Sequence, residues 1–232
     1  MSAVLKQIIK RRSTQLAMRR MQNAVSDLWT DVSREVRHGR ELQAYCQGKT
    51  GISLNMGCGE LVRSGWINVD LQSRSGVFYL NAINQLPIKS GTVARIHAEH
   101  FLEHLDYEDA LKFLCECYRV LDSSGTMRVV VPDAEKYMRA YADNDAKFFD
   151  QFKELGGTSE PLPTNCAICN QMFHMGGHHR FAWDFETLQY AGRSVGFTEV
   201  KKSYHNDKEV QECIDGQDWW RPLESLYANL KR

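Results

Sequence analysis

The stretch Ile52-Ser53-Leu54-Asn55-Met56-Gly57-Cys58-Gly59, followed by Trp66-Ile67-Asn68-Val69-Asp70, carries the strongest signal in the chain. A short apolar run that ends directly in Gly-x-Gly reads as a strand entering a tight turn, because residues without a Cβ let the backbone reverse and approach a ligand closely. The run from Trp66 to Val69 is a second strand and ends at a carboxylate, Asp70. Outward from there, Val77 to Leu80 predicts a third strand ending at Asn81, and Val93 to His97 a fourth. The stretch from Asp106 to Leu121 places Leu111, Leu114, Cys115 and Tyr118 on one helical face, with Gly125 as its stop signal. Met127 to Val131 is the most β-branched run in the chain, as expected of a strand buried on both faces, and Pro132-Asp133 ends it. A helix over Asp184 to Val195 and strands near Thr198 to Tyr204 and Ser225 to Lys231 complete the pattern. Strands alternating with helices predict an α/β fold with a parallel sheet and right-handed crossovers.

Residues 1–48 are rich in helix formers, carry Lys6, Lys10, Arg11, Arg12, Arg19 and Arg20, and read as an N-terminal helical arm. It packs on the domain or on a second subunit, and offers the contact for a homodimer. Residues 49–232 form the catalytic domain. Within it, residues 134–183 are irregular, with Gly156-Gly157, Pro161, Pro163 and Gly176-Gly177, and read as a lid insert over the site.

Composition excludes several classes. Twenty-nine lysines and arginines balance 29 aspartates and glutamates among 232 residues, so no whole-molecule field draws the chain to nucleic acid or an anionic membrane. No apolar run approaches the roughly 20 residues of a membrane-spanning helix. The seven cysteines are odd in number and scattered, with no apolar signal segment before them, which predicts cytoplasmic thiols.

Ligands in open α/β sheets bind outside the carboxyl ends of the strands, so Gly57-Cys58-Gly59, Asp70 and Asn81 at three consecutive strand ends form one candidate pocket. The carboxylate suits vicinal ribose hydroxyls and the amide suits an adenine edge. The glycine turn lacks the third glycine of a dinucleotide-binding turn, since position 62 is Val62; a nucleoside ligand without phosphate does not need that cradle.

With these residues in place, Leu54 to Gly59 and Gly65 to Asp70 resemble the opening of a class I methyltransferase dependent on S-adenosylmethionine (SAM), of the type 11 and related small-molecule groups. Leu86-Pro87, His100-Phe101-Leu102-Glu103-His104-Leu105, Tyr118 to Leu121, Val129 to Asp133, His179-Arg180-Phe181 with Asp184, and Ala191 to Phe197 follow that family's later motifs in order. The resemblance implies a Rossmann-like, seven-stranded, mostly parallel sheet with an antiparallel last strand and helices on both faces. It implies SAM as cofactor, with Asn55, Gly57, Cys58 and Gly59 at the methionine part, Asp70 and Leu71 at the ribose, Asn81, Ala82 and Ile83 beside the adenine, and Ala98 and Glu99 near the sulfonium. Asn55, Asn81 and Glu99 depart from the residues usual at those positions.

Methyl transfer to a small-molecule hydroxyl or amine needs a base only where the acceptor holds a proton at neutral pH, and His100 and His104, one helical turn apart, are the candidates. His104 equally reads as a brace for its helix. Asp133 at the end of the fifth strand is placed either for acceptor contact or to cap the following helix. His179 and Arg180 read as substrate-binding, the guanidinium suiting an anionic acceptor group. Cys166-x-x-Cys169 with His174, His178 and His179 has donor chemistry enough for zinc, but the spacing is no finger pattern and no metal is assigned. Asp218-Trp219-Trp220-Arg221-Pro222 reads as packing beside the last strand or as a stacking surface. The alternative to an enzyme is a SAM-binding or fold-only protein without catalysis, acting through its arm. A nucleic-acid methyltransferase is disfavoured by the neutral charge and by His97-Ala98-Glu99-His100 where a base-amine site would stand.

Overall fold

In the computed structural model, the described residues are 3–72, 74–154, 162–207, 210, 215–218 and 220–232. The side chains of residues 3–17 and 19, with most of the arm's basic residues, and Gly156, Gly157, Pro161, Cys213 and Trp219 lie outside what is described.

Seven strands form one sheet: β1 (Ile52–Met56), β2 (Ile67–Asp70), β3 (Val77–Tyr79), β4 (Val93–Glu99), β5 (Leu121–Pro132), β6 (Glu199–Ser203) and β7 (Ser225–Lys231), in the order β3-β2-β1-β4-β5-β7-β6. The first five pair in parallel, and β7 is inserted antiparallel between β5 and β6. The chain order reverses at β1/β4, so the carboxyl ends of β1, β2 and β4 open onto one crevice. The helix α1 (Ala3–Cys46) precedes the sheet, α2 (Tyr107–Val120) joins β4 to β5, and α6 (Phe185–Ser194) precedes β6. Asp184 caps α6 by accepting a hydrogen bond from Thr187 N at 2.8 Å. The predicted α2 stops at Val120, and Gly125, read as its stop signal, lies inside β5.

The register separates two kinds of surface. Leu54, Ile96, Met127 and Leu230 align across β1, β4, β5 and β7, and with Met56, Ala98, Val129 and Ala228 they form an apolar face. Leu114 of α2, Leu188 and Ala191 of α6, and Leu42 of α1 join that core. The neighbouring register row is polar and buried: Asn68, Asn55, His97, Arg128 and Asn229, from β2 through β1, β4 and β5 to β7. Chain segments close over this row. Asn55 Nδ2 donates to Leu61 O at 2.7 Å and to Asn68 Oδ1 at 2.9 Å, while Arg128 donates to both Asp215 oxygens at 2.5 and 2.6 Å and to Asn229 Oδ1 at 2.8 Å. A buried polar row is tolerated only because its members satisfy one another.

The insert is helical. Helices α3 (Ala134–Ala142), α4 (Ala146–Glu154) and α5 (Asn165–His174) bury Tyr137, Ala140, Phe149, Ile168, Cys169 and Met172 in a second core of their own. The short helix α7 (Arg221–Glu224) leads into β7. The carboxyl half of α1 is docked rather than loose: Glu35 Oε1 accepts from Asn81 N at 3.0 Å and His38 Nδ1 accepts from Tyr79 N at 2.9 Å, next to buried Leu42.

Candidate active site

The glycine turn after β1 uses its two glycines differently. Both have positive φ, +60° at Gly57 and +50° at Gly59, a region that side chains with a Cβ enter only under strain. A Cβ on Gly57 would lie 2.2 Å from the Phe101 ring, whereas one on Gly59 would have nothing within 4 Å. Gly59 is therefore the glycine that faces open space, and Gly57 is the seat of Phe101. Between them Cys58 is buried, and its thiol is pushed up to about 11 by burial and by the Asp70 charge.

Asp70 stands at the end of β2, half-exposed, and each carboxylate oxygen accepts one backbone N–H: Oδ2 from Gly59 at 2.8 Å and Oδ1 from Gln72 at 2.7 Å. The carboxylate is thereby fixed in orientation, and each oxygen retains accepting capacity toward the crevice. Leu71 is exposed beside it. Asn81 and Ile83 are half-exposed, with Asn81 Oδ1 accepting from Ile83 N at 3.3 Å, so the Asn81 amide N–H groups remain available.

The other residues assigned to the cofactor are engaged by the protein itself. Asn55 is buried in the polar row and braces the turn through Leu61, because its side chain points to the sheet face and not to the strand end. Ala82 and Ala98 are in the apolar core. Glu99 shares a face with His97 and is held by the segment before α7: it accepts from Gly216 N at 2.9 Å, with Arg221 Nε at 3.6 Å and Arg63 Nη2 at 4.0 Å. A Cβ on Gly216 would meet Glu99 Oε1 at 2.5 Å, so glycine is what lets that backbone reach the carboxylate.

Beyond β4 the chain turns sharply. His100 has a positive φ of +48°, a strained backbone for histidine, and its ring is bracketed by acids: Nδ1 is 3.2 Å from Glu103 Oε1, and Nε2 is 3.1 Å from Ser225 Oγ and 3.7 Å from Glu224 Oε1. The edge of Trp220 closes one side at 6.2 Å between ring centres. His104, by contrast, has Nδ1 3.0 Å from the carbonyl of His178, which holds residues 174–180 against the turn. Asp133 is buried and caps α3 by accepting from Glu135 N at 3.1 Å; burial raises its carboxyl above the ordinary range. His179 points Nδ1 at the Met172 carbonyl at 2.6 Å. Arg180 is exposed and pairs loosely with Asp106 at 3.7 Å. Cys166 is exposed and Cys169 buried on α5, and they join no cluster with a histidine among the described residues. Glu35, Arg63, Phe101 and Gly216, which shape the crevice, escaped the sequence reading; only Phe101 stood inside a quoted motif.

Residues 68–129 match a family described as the methyltransferase domain. No curated protein matches the chain. Among solved structures, a SAM-dependent methyltransferase from Archaeoglobus fulgidus is 18% identical with a TM-score of 0.51, covering 86% of this chain and 94% of that one. A possible histamine N-methyltransferase from Thermotoga maritima is 19% identical over 92% and 97% of the two chains, with a TM-score of 0.45. A Burkholderia thailandensis 1,6-didemethyltoxoflavin-N1-methyltransferase, solved with 1,6-didemethyltoxoflavin and S-adenosylhomocysteine, is 12% identical over 100% and 91%, with a TM-score of 0.45. The methyltransferase-domain match spans residues 68–129, and the likeness to the Archaeoglobus fulgidus structure is one of fold.

Proposed function

We propose that the chain transfers a methyl group from SAM to the hydroxyl or amine of a small-molecule acceptor, with residues 49–232 as the catalytic domain and 1–48 as an arm. The observation that carries this reading is Asp70, locked by the N–H groups of Gly59 and Gln72 beside the open face of Gly59. In this reading Asp70 accepts the two ribose hydroxyls, Gly59 gives backbone clearance, and Leu71, Asn81 and Ile83 flank the adenine. SAM supplies a methyl already activated by its sulfonium, so the protein's share is to hold the acceptor in line and exclude water. In this reading His100 takes the acceptor's proton, because its ring is partly exposed at the strand end, whereas Nδ1 of His104 meets the His178 carbonyl and Asp133 caps a helix. Arg180, exposed next to the same turn, suits an anionic substituent on the acceptor.

Calorimetric titration with SAM, S-adenosylhomocysteine and NADH tests the cofactor, and release of S-adenosylhomocysteine across hydroxyl and amine acceptors tests the reaction. Micromolar binding of the first two ligands alone is expected. Binding without turnover on any acceptor would favour the non-catalytic reading.

We further propose that the arm pairs with the arm of a second copy. Met18, Met21, Val25, Leu28 and Val32 are exposed at alternating spacings of three and four, the seam of a two-stranded coil. Of the flanking Gln22, Ala24, Trp29 and Asp31, only Asp31 carries a charge, so little repulsion opposes the meeting of two copies. No helix among the described residues is long and apolar enough to cross a membrane, in keeping with the cytoplasmic location proposed from the thiols.

A further inference from the structure

Glu103, His104 and His179 each offer a ligand atom, and these atoms lie within 4.8 Å of one another. The first two belong to the helical turn Leu102–His104 after β4, and the third to the segment that follows α5. The segments are already stitched together, since Arg180 N donates to Glu103 O at 2.8 Å.

The orientation of the two imidazoles points to a cation. Both carry Nδ1 against a main-chain carbonyl, His104 on His178 O at 3.0 Å and His179 on Met172 O at 2.6 Å. A carbonyl only accepts, so each Nδ1 holds the proton and each Nε2 keeps a lone pair. This is the outer-sphere arrangement that fixes metal-binding histidines. The rings meet edge to face, with centres 5.1 Å apart. Against them lies the Glu103 carboxylate, 2% exposed, with His100 Nδ1 3.2 Å from Oε1. Two imidazoles and a buried carboxylate are thus gathered within ligand reach of one another, the carboxylate held by His100.

We infer that Glu103, His104 and His179 form a site for a divalent transition metal, with zinc the best match to two imidazoles and one carboxylate. Zinc about 2.1 Å from each ligand atom would draw them to about 3.4 Å apart, a closure of the kind small side-chain rotations supply. His100 then supports the carboxylate from Oε1, and three protein ligands leave one position open on the exposed side of the rings. The ion joins the segment after α5 to the turn that follows β4. The site is distinct from the Cys166/Cys169 pair; it shares His100, as the support of Glu103, with the methyl-transfer reading, and its test reads bound metal and not turnover.

The test uses untagged full-length protein, stripped with chelator and titrated with zinc and with cobalt(II). About one ion per chain and visible cobalt absorption typical of a low-coordinate nitrogen and oxygen site are expected. Glu103→Gln and His179→Ala should each weaken binding at least about tenfold, with far-ultraviolet circular dichroism confirming a folded chain. His178→Ala and Cys166→Ser should leave binding unchanged. Should the two ligand variants fail to fold, the wild-type stoichiometry and cobalt spectrum still decide. Wild-type protein without a stoichiometric ion, a sulfur-to-cobalt charge-transfer band, or loss of the ion in Cys166→Ser would each overturn the proposal.

Discussion

The Phe101 ring occupies the space that a side chain at Gly57 would need: a Cβ there would come within 2.2 Å of the ring, and the residue's φ is +60°. Gly57→Ala therefore combines backbone strain with a clash in a packed contact, and should cost about 2–5 kcal/mol of stability. Gly59→Ala, with no atom within 4 Å of its Cβ, should cost only the strain, about 1–2 kcal/mol, yet should weaken SAM because the new methyl enters the cradle. Denaturant unfolding and SAM titration on the pair separate the two roles. Equal stability losses would contradict this division.

Asp70 is the residue on which the cofactor assignment depends. Replacing it with alanine removes both the proposed ribose acceptors and the anchor for Gly59 N and Gln72 N. A charge-assisted hydrogen bond is worth about 1.5–3 kcal/mol, so Asp70→Ala should weaken SAM by roughly 10-fold to 100-fold. An unchanged Kd, measured by calorimetry, would remove Asp70 from the site.

His100 and His104 are predicted to respond differently. His100→Gln should lower kcat by about 10²–10⁴ on a hydroxyl acceptor while leaving SAM affinity intact, as expected for loss of a general base. His104→Ala should instead lower the melting temperature, because the tie to His178 is lost. Single-turnover kinetics beside thermal unfolding distinguish these results; a kcat unaffected by His100→Gln would assign the base elsewhere.

Six of the seven strands were legible in the sequence to within a residue or two, because each buries an apolar row between turn residues; β5 starts at Leu121, six residues before the predicted Met127. Less legible was what lies over the sheet. Residues 57–66 form turns and no helix, a connection too short for a helical crossover, and the buried row Asn68, Asn55, His97, Arg128, Asn229 alternates with apolar neighbours that dominate the pattern. The partners of that row, Asp215 and Gly216, come from a distant segment, and no local spacing announces contacts across so many residues. Within the proposed site, Asp70 and Gly59 stand out in the sequence because strand ends carry local signals. Glu35 and Arg63 were not, since a helix in the arm and a loop residue reach the crevice only through tertiary packing.

Asp215 gives a pH dependence with a defined sign. Burial by itself would raise its carboxyl, but hydrogen bonds from Arg128 and His97 outweigh burial and hold it below the ordinary range. A depressed carboxylate contributes stability that is present above its unfolded value, about 3.9, and is lost as pH falls through the folded value. Asp215→Asn leaves buried Arg128 without its counter-charge and should cost about 3–5 kcal/mol at pH 7. The gap between variant and parent should narrow as pH falls below 4, measured by urea unfolding at a series of pH values. A gap independent of pH would show that the pair contributes through shape and not charge.

The arm's seam yields the last prediction. Val25 and Leu28 lie at its centre, both exposed, while the anchoring contacts of Glu35, His38 and Leu42 to the domain lie further along the helix. Charging the seam should therefore break self-association without undocking the arm. Parent protein at micromolar concentration should scatter light as a dimer, and the double variant Val25→Asp, Leu28→Asp as a monomer with unchanged SAM affinity. Two buried apolar side chains at about 1.5–3 kcal/mol each, counted on both copies, are enough to shift the dimer constant by several orders of magnitude. A monomeric parent would end the pairing proposal, whereas a variant that also lost SAM would show that the seam supports the site through α1.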